Sequence, residues 1–222
     1  MIGSTVGLEV LGLSILVLFA VVMVAGLQLS RRAEKRNLRE INAATAWAQL
    51  GERPAAGMEL LYGVWQTAMH EVVLVVRDEQ DLTLGTITQR ASGTTIELGT
   101  GRFVVVTTSG TLESAELIGA GSDPAATPMC RFEARGWGGR RVASYATPAS
   151  GTFTIGARWA WARQRGALPV SQDGRAIGRM LTLGGPAFNR GRALLLPADL
   201  PLPLRLFMLW KGVGVQGRSA AR

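Results

Sequence analysis

Residues 197–218 read PADLPLPLRLFMLWKGVGVQGR, the second most apolar run in the chain and nearly its last. Within it, Leu202 to Val215 would form a helix of roughly 20 Å at about 1.5 Å per residue, too short for a bilayer core of about 30 Å. Its only charges are Arg205 and Lys211, while Leu204, Leu206, Phe207, Met208, Leu209, Trp210, Val213 and Val215 surround the axis. An interfacial helix keeps one polar face, whereas a helix apolar nearly all round is buried in protein. Pro201 and Pro203 fit its first turn, and Gly212 and Gly214 fit its exit. The expectation is a C-terminal helix over 200–215 enclosed by a shell, and the shell has to come from the residues before it.

Those residues have the texture of short strands. From Glu71 the chain runs EVVLVVR, LTLGTITQR, TTIELGT, RFVVVTT, TLESAELIG, MCRFEAR, RRVASYA, GTFTIGA, RWAWARQR, LPVSQ, AIGRMLTL and RALLLPA, divided in many places by ASG, SG, GSDP, GWGG, PASG and QDG. Runs rich in β-branched and aromatic residues between Gly, Pro, Asn, Asp and Ser clusters predict strands joined by turns. About a dozen of them exceed what one open sheet holds comfortably, so a closed barrel or a sandwich is expected. The fold class is mainly β, a barrel of about twelve short strands with a buried C-terminal helix.

Many short strands, a last strand in RALLLPADLP and then a buried apolar helix resemble the tubby C-terminal-like barrel superfamily, which includes phospholipid scramblases and the plant LURP-one-related proteins. The resemblance covers about 71–216 and implies a twelve-stranded barrel threaded by its C-terminal helix. This chain departs from the scramblases: it has no palmitoylated cysteine cluster and no acidic calcium-binding segment beside the last helix, and its apolar anchor is N-terminal. Scramblase chemistry is not carried to any residue.

The anchor is the run Val10 to Leu27, VLGLSILVLFAVVMVAGL, with no charge. It has the length and composition of a transmembrane helix. A cleaved signal peptide would carry cations before the run; here only Glu9 precedes it and Arg31, Arg32, Lys35, Arg36 and Arg39 follow. These juxtamembrane cations predict a single-pass inner or plasma membrane protein with its N-terminus outside and its C-terminal domain in the cytoplasm. The lone Cys130 fits a reducing compartment. Beyond the span, Leu38, Ile41, Thr45 and Ala48 predict a helical stalk continuing toward Gly51, and Leu61, Val64, Trp65 and Ala68 predict a second amphipathic helix over 55–69. The expected organisation is an anchor over 1–29, a helical stalk over 30–69 and the β domain over 70–222.

Charge is unevenly spread. From His70 to Met129 there are three Arg against eight acidic residues; from Cys130 to Arg222 there are fourteen Arg and one Lys against three acids, 15 − 3 = +12. Such asymmetry favours an anionic partner. In RWAWARQR, strand alternation puts Trp159, Trp161, Arg163 and Arg165 on one face, which suits a membrane interface or a partner protein, with tryptophans packed in the barrel as the alternative. With Arg131, Arg135, Arg140 and Arg141 these are the candidate partner or lipid contacts.

No catalytic or metal site is expected. One His and one Cys cannot build a multi-ligand site, and H-E-x-x-H, C-x-x-C and G-x-S-x-G are absent. DEQD, Asp78 to Asp81, reads as a hairpin tip rather than a metal loop, and GTGRF and GAGSDP read as turns rather than dinucleotide fingerprints. No cofactor is called for, and no recognition motif points to nucleic acid. Two functional readings follow. One is a non-catalytic accessory subunit of a larger membrane complex, partnered by other integral membrane proteins, with its β domain capping their cytoplasmic face. The other is a membrane-tethered module that reads anionic lipid headgroups.

Overall fold

A computed structural model of the chain describes residues 41–51, 55–68, 71–108, 113–122, 127–135, 142–156, 167–183 and 191–212, together with Val21. Residues 41–222 belong to one compact unit. It contains α1 (Ala43–Leu50), twelve strands and α2 (Leu202–Lys211). The strands are β1 (Met58–Ala68), β2 (Glu71–Arg77), β3 (Thr83–Arg90), β4 (Gly93–Leu98), β5 (Gly101–Thr108), β6 (Glu113–Gly119), β7 (Cys130–Arg135), β8 (Val142–Thr147), β9 (Gly151–Gly156), β10 (Leu168–Gln172), β11 (Arg175–Leu183) and β12 (Gly191–Pro197). Each pairs antiparallel with its neighbour in sequence, and β1 also pairs with β12. The sheet is a closed barrel, which leaves no edge strand to aggregate.

Turn chemistry supports the order. Asp78 Oδ1 accepts from the amides of Gln80 and Leu82, each at 2.9 Å, so DEQD is the β2–β3 hairpin tip. Between β10 and β11, Asp173 and Gly174 hold φ of 47° and 85°, the pair of positive angles of a type I′ turn.

The barrel is full. On β7, Cys130, Phe132 and Ala134 point inward while the residues between them face out. Similar inward rows converge on α2, whose residues Leu204 to Trp210 are all buried. Phe207 is fully enclosed, its ring edge-on to Tyr145 at 6.0 Å and Phe132 at 6.3 Å. The wall is thinned to admit the helix: a Cβ on Gly85 would lie 2.5 Å from the carbonyl oxygen of Glu97 and 3.3 Å from Leu206 Cδ2.

The segment 55–69 is not a helix. Met58–Ala68 is β1, the strand that closes the barrel. The helical spacing of Leu61, Val64, Trp65 and Ala68 misleads because much of β1 is covered on both sides, so apolar residues fall at consecutive positions and alternation vanishes. Leu61 joins the interior core, whereas Leu60, Tyr62 and Val64 are buried on the outer side. Gly63 belongs in a strand, where a Cβ would lie 2.7 Å from the Leu74 side chain across the β1–β2 pair.

The stalk helix also does not run unbroken to Gly51. Asn42 is extended, with φ of −134°, and its side chain caps α1 by accepting from the Thr45 amide at 2.9 Å. The face that α1 buries is Ala43, Ala46 and Leu50; Ala48 is exposed.

Among the described residues no helix is long and apolar enough to cross a membrane. The expected span from Val10 to Leu27 lies outside them except for Val21, as do Arg31, Arg32, Lys35, Arg36 and Arg39. Residues 158–165 lie outside them too, and β9 pairs directly with β10.

Candidate functional site: the two ends of a plugged barrel

Strand order fixes which connections leave which end. β12 leads through a turn into α2, which runs back inside the barrel. We call the end where α2 begins the near end and the end where it finishes the far end. Because all strands alternate in direction, odd-numbered strands finish at the far end and even-numbered strands at the near end.

At the far end an arginine that the sequence gives no reason to single out has the central place. Arg192, at the start of β12, is 4% exposed and shares the inward row of Leu194 and Leu196. Its Nη1 donates to the carbonyls of Leu209, at 2.9 Å, and Trp210. The cation thereby satisfies the last turn of α2, where orphan carbonyls carry the negative end of the helix dipole. Its guanidinium lies 5.6 Å from the Trp65 ring centroid, and Trp65 meets Trp210 at 5.2 Å. Lys211 extends the cluster, with Nζ 5.4 Å from the Phe132 ring. The available sequence signal was position alone: inward alternation on a strand beside a helix C-terminus.

At the near end, Arg205 in the first turn of α2 is 6% exposed and its Nη1 donates to Glu59 Oε2 on β1. Among the described residues, Arg205 Nε is a buried side-chain nitrogen without a hydrogen-bond partner. Arg205 is buried while the Glu59 side chain is 42% exposed, so removing Glu59 would leave a buried guanidinium without this carboxylate, and the pair helps to hold α2 against the wall.

The same end carries a latch for α1. Asp81, in the β2–β3 turn, accepts at Oδ1 from the Ala43 amide, at 2.9 Å, and from the Tyr62 hydroxyl. Its carboxyl is held below the usual range by the Tyr62 hydrogen bond and then by the Ala43 amide. Burial and then the Asp81 bond push the Tyr62 hydroxyl up to about 12. Tyr62 has a raised folded pKa, so its contribution is complete below pH 10 and is lost as pH rises toward about 12. Asp81 has a lowered folded pKa, so its contribution holds above the ordinary carboxylate range and is lost as pH falls through the folded value. Tyr62→Phe is expected to cost about 1.5–3 kcal/mol, as for a hydrogen bond to a charged group. It should also flatten the alkaline fall in denaturant midpoint between pH 10 and 12; an unchanged alkaline limb would mean that the latch is not formed.

Of the expected contacts, Arg131 and Arg135 are described and exposed. Arg131 pairs with Glu116 across β6–β7 at 2.9 Å, and Arg135 with Glu133 at 2.8 Å. Arg90 with Glu71 and Arg102 with Glu97 repeat the pattern on β2 to β5. These exposed pairs contribute little to stability, but they leave this part of the wall electrically balanced. Arg140, Arg141, Trp159, Trp161, Arg163 and Arg165 lie outside the described residues.

The interior offers little reactive chemistry. Cys130 is buried and desolvation pushes its thiol up to about 12, so thiolate is scarce at neutral pH. Among the described residues no group of three or more His, Cys, Asp or Glu is placed to hold a metal ion. No protein-family model matches the chain, and no curated protein or solved structure matches it.

Proposed function

We propose that the chain is a non-catalytic accessory subunit of a larger membrane protein complex, anchored by the segment from Val10 to Leu27 and working through the surface of its barrel. The observation that carries this reading is the use of the buried arginines. Arg192 holds the end of α2 and Arg205 pairs with Glu59, so the described interior charges fix the barrel's own plug. A barrel filled by its own helix acts as a rigid body, and a rigid body acts through what it touches. The expected topology, with the N-terminus outside and the barrel cytoplasmic, places that body at the inner face of the membrane. We carry the likeness to tubby C-terminal-like barrels in the same proposal; a barrel of twelve strands around a C-terminal helix supports it as architecture alone.

Gentle detergent extraction of the full chain is the test. Recovery with a stoichiometric set of integral membrane proteins is expected. Replacing Trp159 and Trp161 with alanine should release the protein from that set while leaving it in the membrane fraction, because a lone span has little hydrophobic drive to associate in lipid. Recovery of the chain by itself from native membranes would contradict the subunit reading.

The headgroup-reading alternative draws on Arg163 and Arg165. Charge reversal at both should then abolish binding to anionic liposomes, as should high salt.

A further inference from the structure

Among the described residues, α1 is the one element that belongs neither to the barrel wall nor to the plug. It packs on the outside of β1 and β11, with β12 between them. Along that face Ala193 of β12 stands in register with Tyr62 of β1 on one side and Leu181 of β11 on the other, and all three are buried. The small alanine between two larger side chains makes an apolar trough. The face that α1 turns inward, Ala43, Ala46 and Leu50, is small enough to lie in it.

We propose that α1 is a releasable strap, which leaves the wall as a unit while the barrel and its plug stay closed. This property goes beyond the subunit reading and holds with or without a partner complex. The attachment is thin: Ile41, two alanines and Leu50 are its buried residues, where α2 buries every residue from Leu204 to Trp210. Its polar part is a latch at one end, the Ala43 amide donating to Asp81 Oδ1. Asp78 already accepts from the amides of the β2–β3 turn, so the Asp81 carboxylate is given to Ala43 and Tyr62 rather than to its own hairpin. The wall keeps its ladders when α1 leaves, because β1 pairs with β12 over Met58–Val64 and with β2 over Tyr62–Ala68. A helix as short as α1 is marginal in water, so release and unwinding are one event. Unwound, α1 lengthens from about 12 Å to roughly 26–29 Å. Since it precedes β1 in the chain, a pull from the N-terminal side is met by the strap before it reaches the barrel.

Native-state hydrogen exchange of the full chain tests the strap. The amides of Ala46 to Gly51 should exchange through an opening of lower free energy and weaker denaturant dependence than the slowest strand amides. Two substitutions separate strap from barrel. Ala43→Pro removes the amide that reaches Asp81, at the first helical position where proline is otherwise accommodated, and should speed α1 exchange roughly tenfold or more. Phe207→Ala weakens the core whether the strap is on or off, so it should speed the slowest strand amides by roughly a hundredfold or more and leave α1 exchange unchanged. Acceleration of α1 by Phe207→Ala to the same degree as the strands would show that α1 opens only with the whole barrel, and would overturn the proposal. So would α1 amides that exchange at unprotected rates in the unsubstituted chain, or an Ala43→Pro chain whose α1 exchange is unchanged.

Discussion

Phe207→Ala is expected to destabilise the barrel by about 3–5 kcal/mol, the range for deleting a fully buried aromatic side chain. The ring is fully buried and packs edge-on to Phe132 and Tyr145, which are paired on the neighbouring strands β7 and β8, so its removal leaves a void inside a closed sheet. Twelve strands fixed by their mutual pairing cannot collapse far to fill that void, which favours the upper part of the range. The change should appear as a lower denaturant midpoint with an unchanged slope. A loss below about 1 kcal/mol would mean that α2 does not pack as the core. Ending the chain after Asp199 removes the whole helix, and a product that still melts cooperatively would carry the same message.

Arg192→Ala is expected to cost about 2–4 kcal/mol, since it removes charged hydrogen bonds and strands carbonyls at the buried end of α2. The packing of its guanidinium near Trp65 is lost as well. Arg192→Lys should recover part of the loss, because an ammonium still complements the helix C-terminus but lacks the planar fork. Equal stability of the alanine and wild-type chains, measured by denaturant unfolding, would show that Arg192 does not hold the plug.

Both predictions concern a helix that the sequence made visible. Arg205 and Lys211 were too few to make a polar face, and no span of that length crosses a bilayer. Most strands after Glu71 were visible for a similar reason, since runs such as EVVLVVR and RFVVVTT are β-branched and bounded by turn residues. β1 was hidden by its success at burial. With Leu60, Tyr62 and Val64 covered outside and Leu61 inside, period 2 disappears and a helical stripe can be read into what remains. The break at Asn42 was legible in principle, because Asn is a preferred N-cap and Thr45 supplies the amide it accepts from.

The proposed interaction residues were legible as composition but not as placement. The sequence pointed to an excess of arginine after Cys130, yet Arg131 pairs with Glu116 through the β6–β7 register and Arg135 pairs with Glu133 on its own strand. Arg140, Arg141, Arg163 and Arg165 lie outside the described residues. Arg192 was indistinguishable from any other basic residue at a strand start until α2 was seen to end beside it.

The central claim is that the barrel and its plug are one cooperative body, and native-state hydrogen exchange of the α2 amides tests it most directly. The amides of Phe207, Met208, Leu209 and Trp210 should exchange only through global unfolding, with the same opening free energy and denaturant dependence as the slowest strand amides. Exchange of these four through a smaller, denaturant-insensitive opening while the strands stay protected would show a helix that leaves the barrel on its own, and would contradict the account.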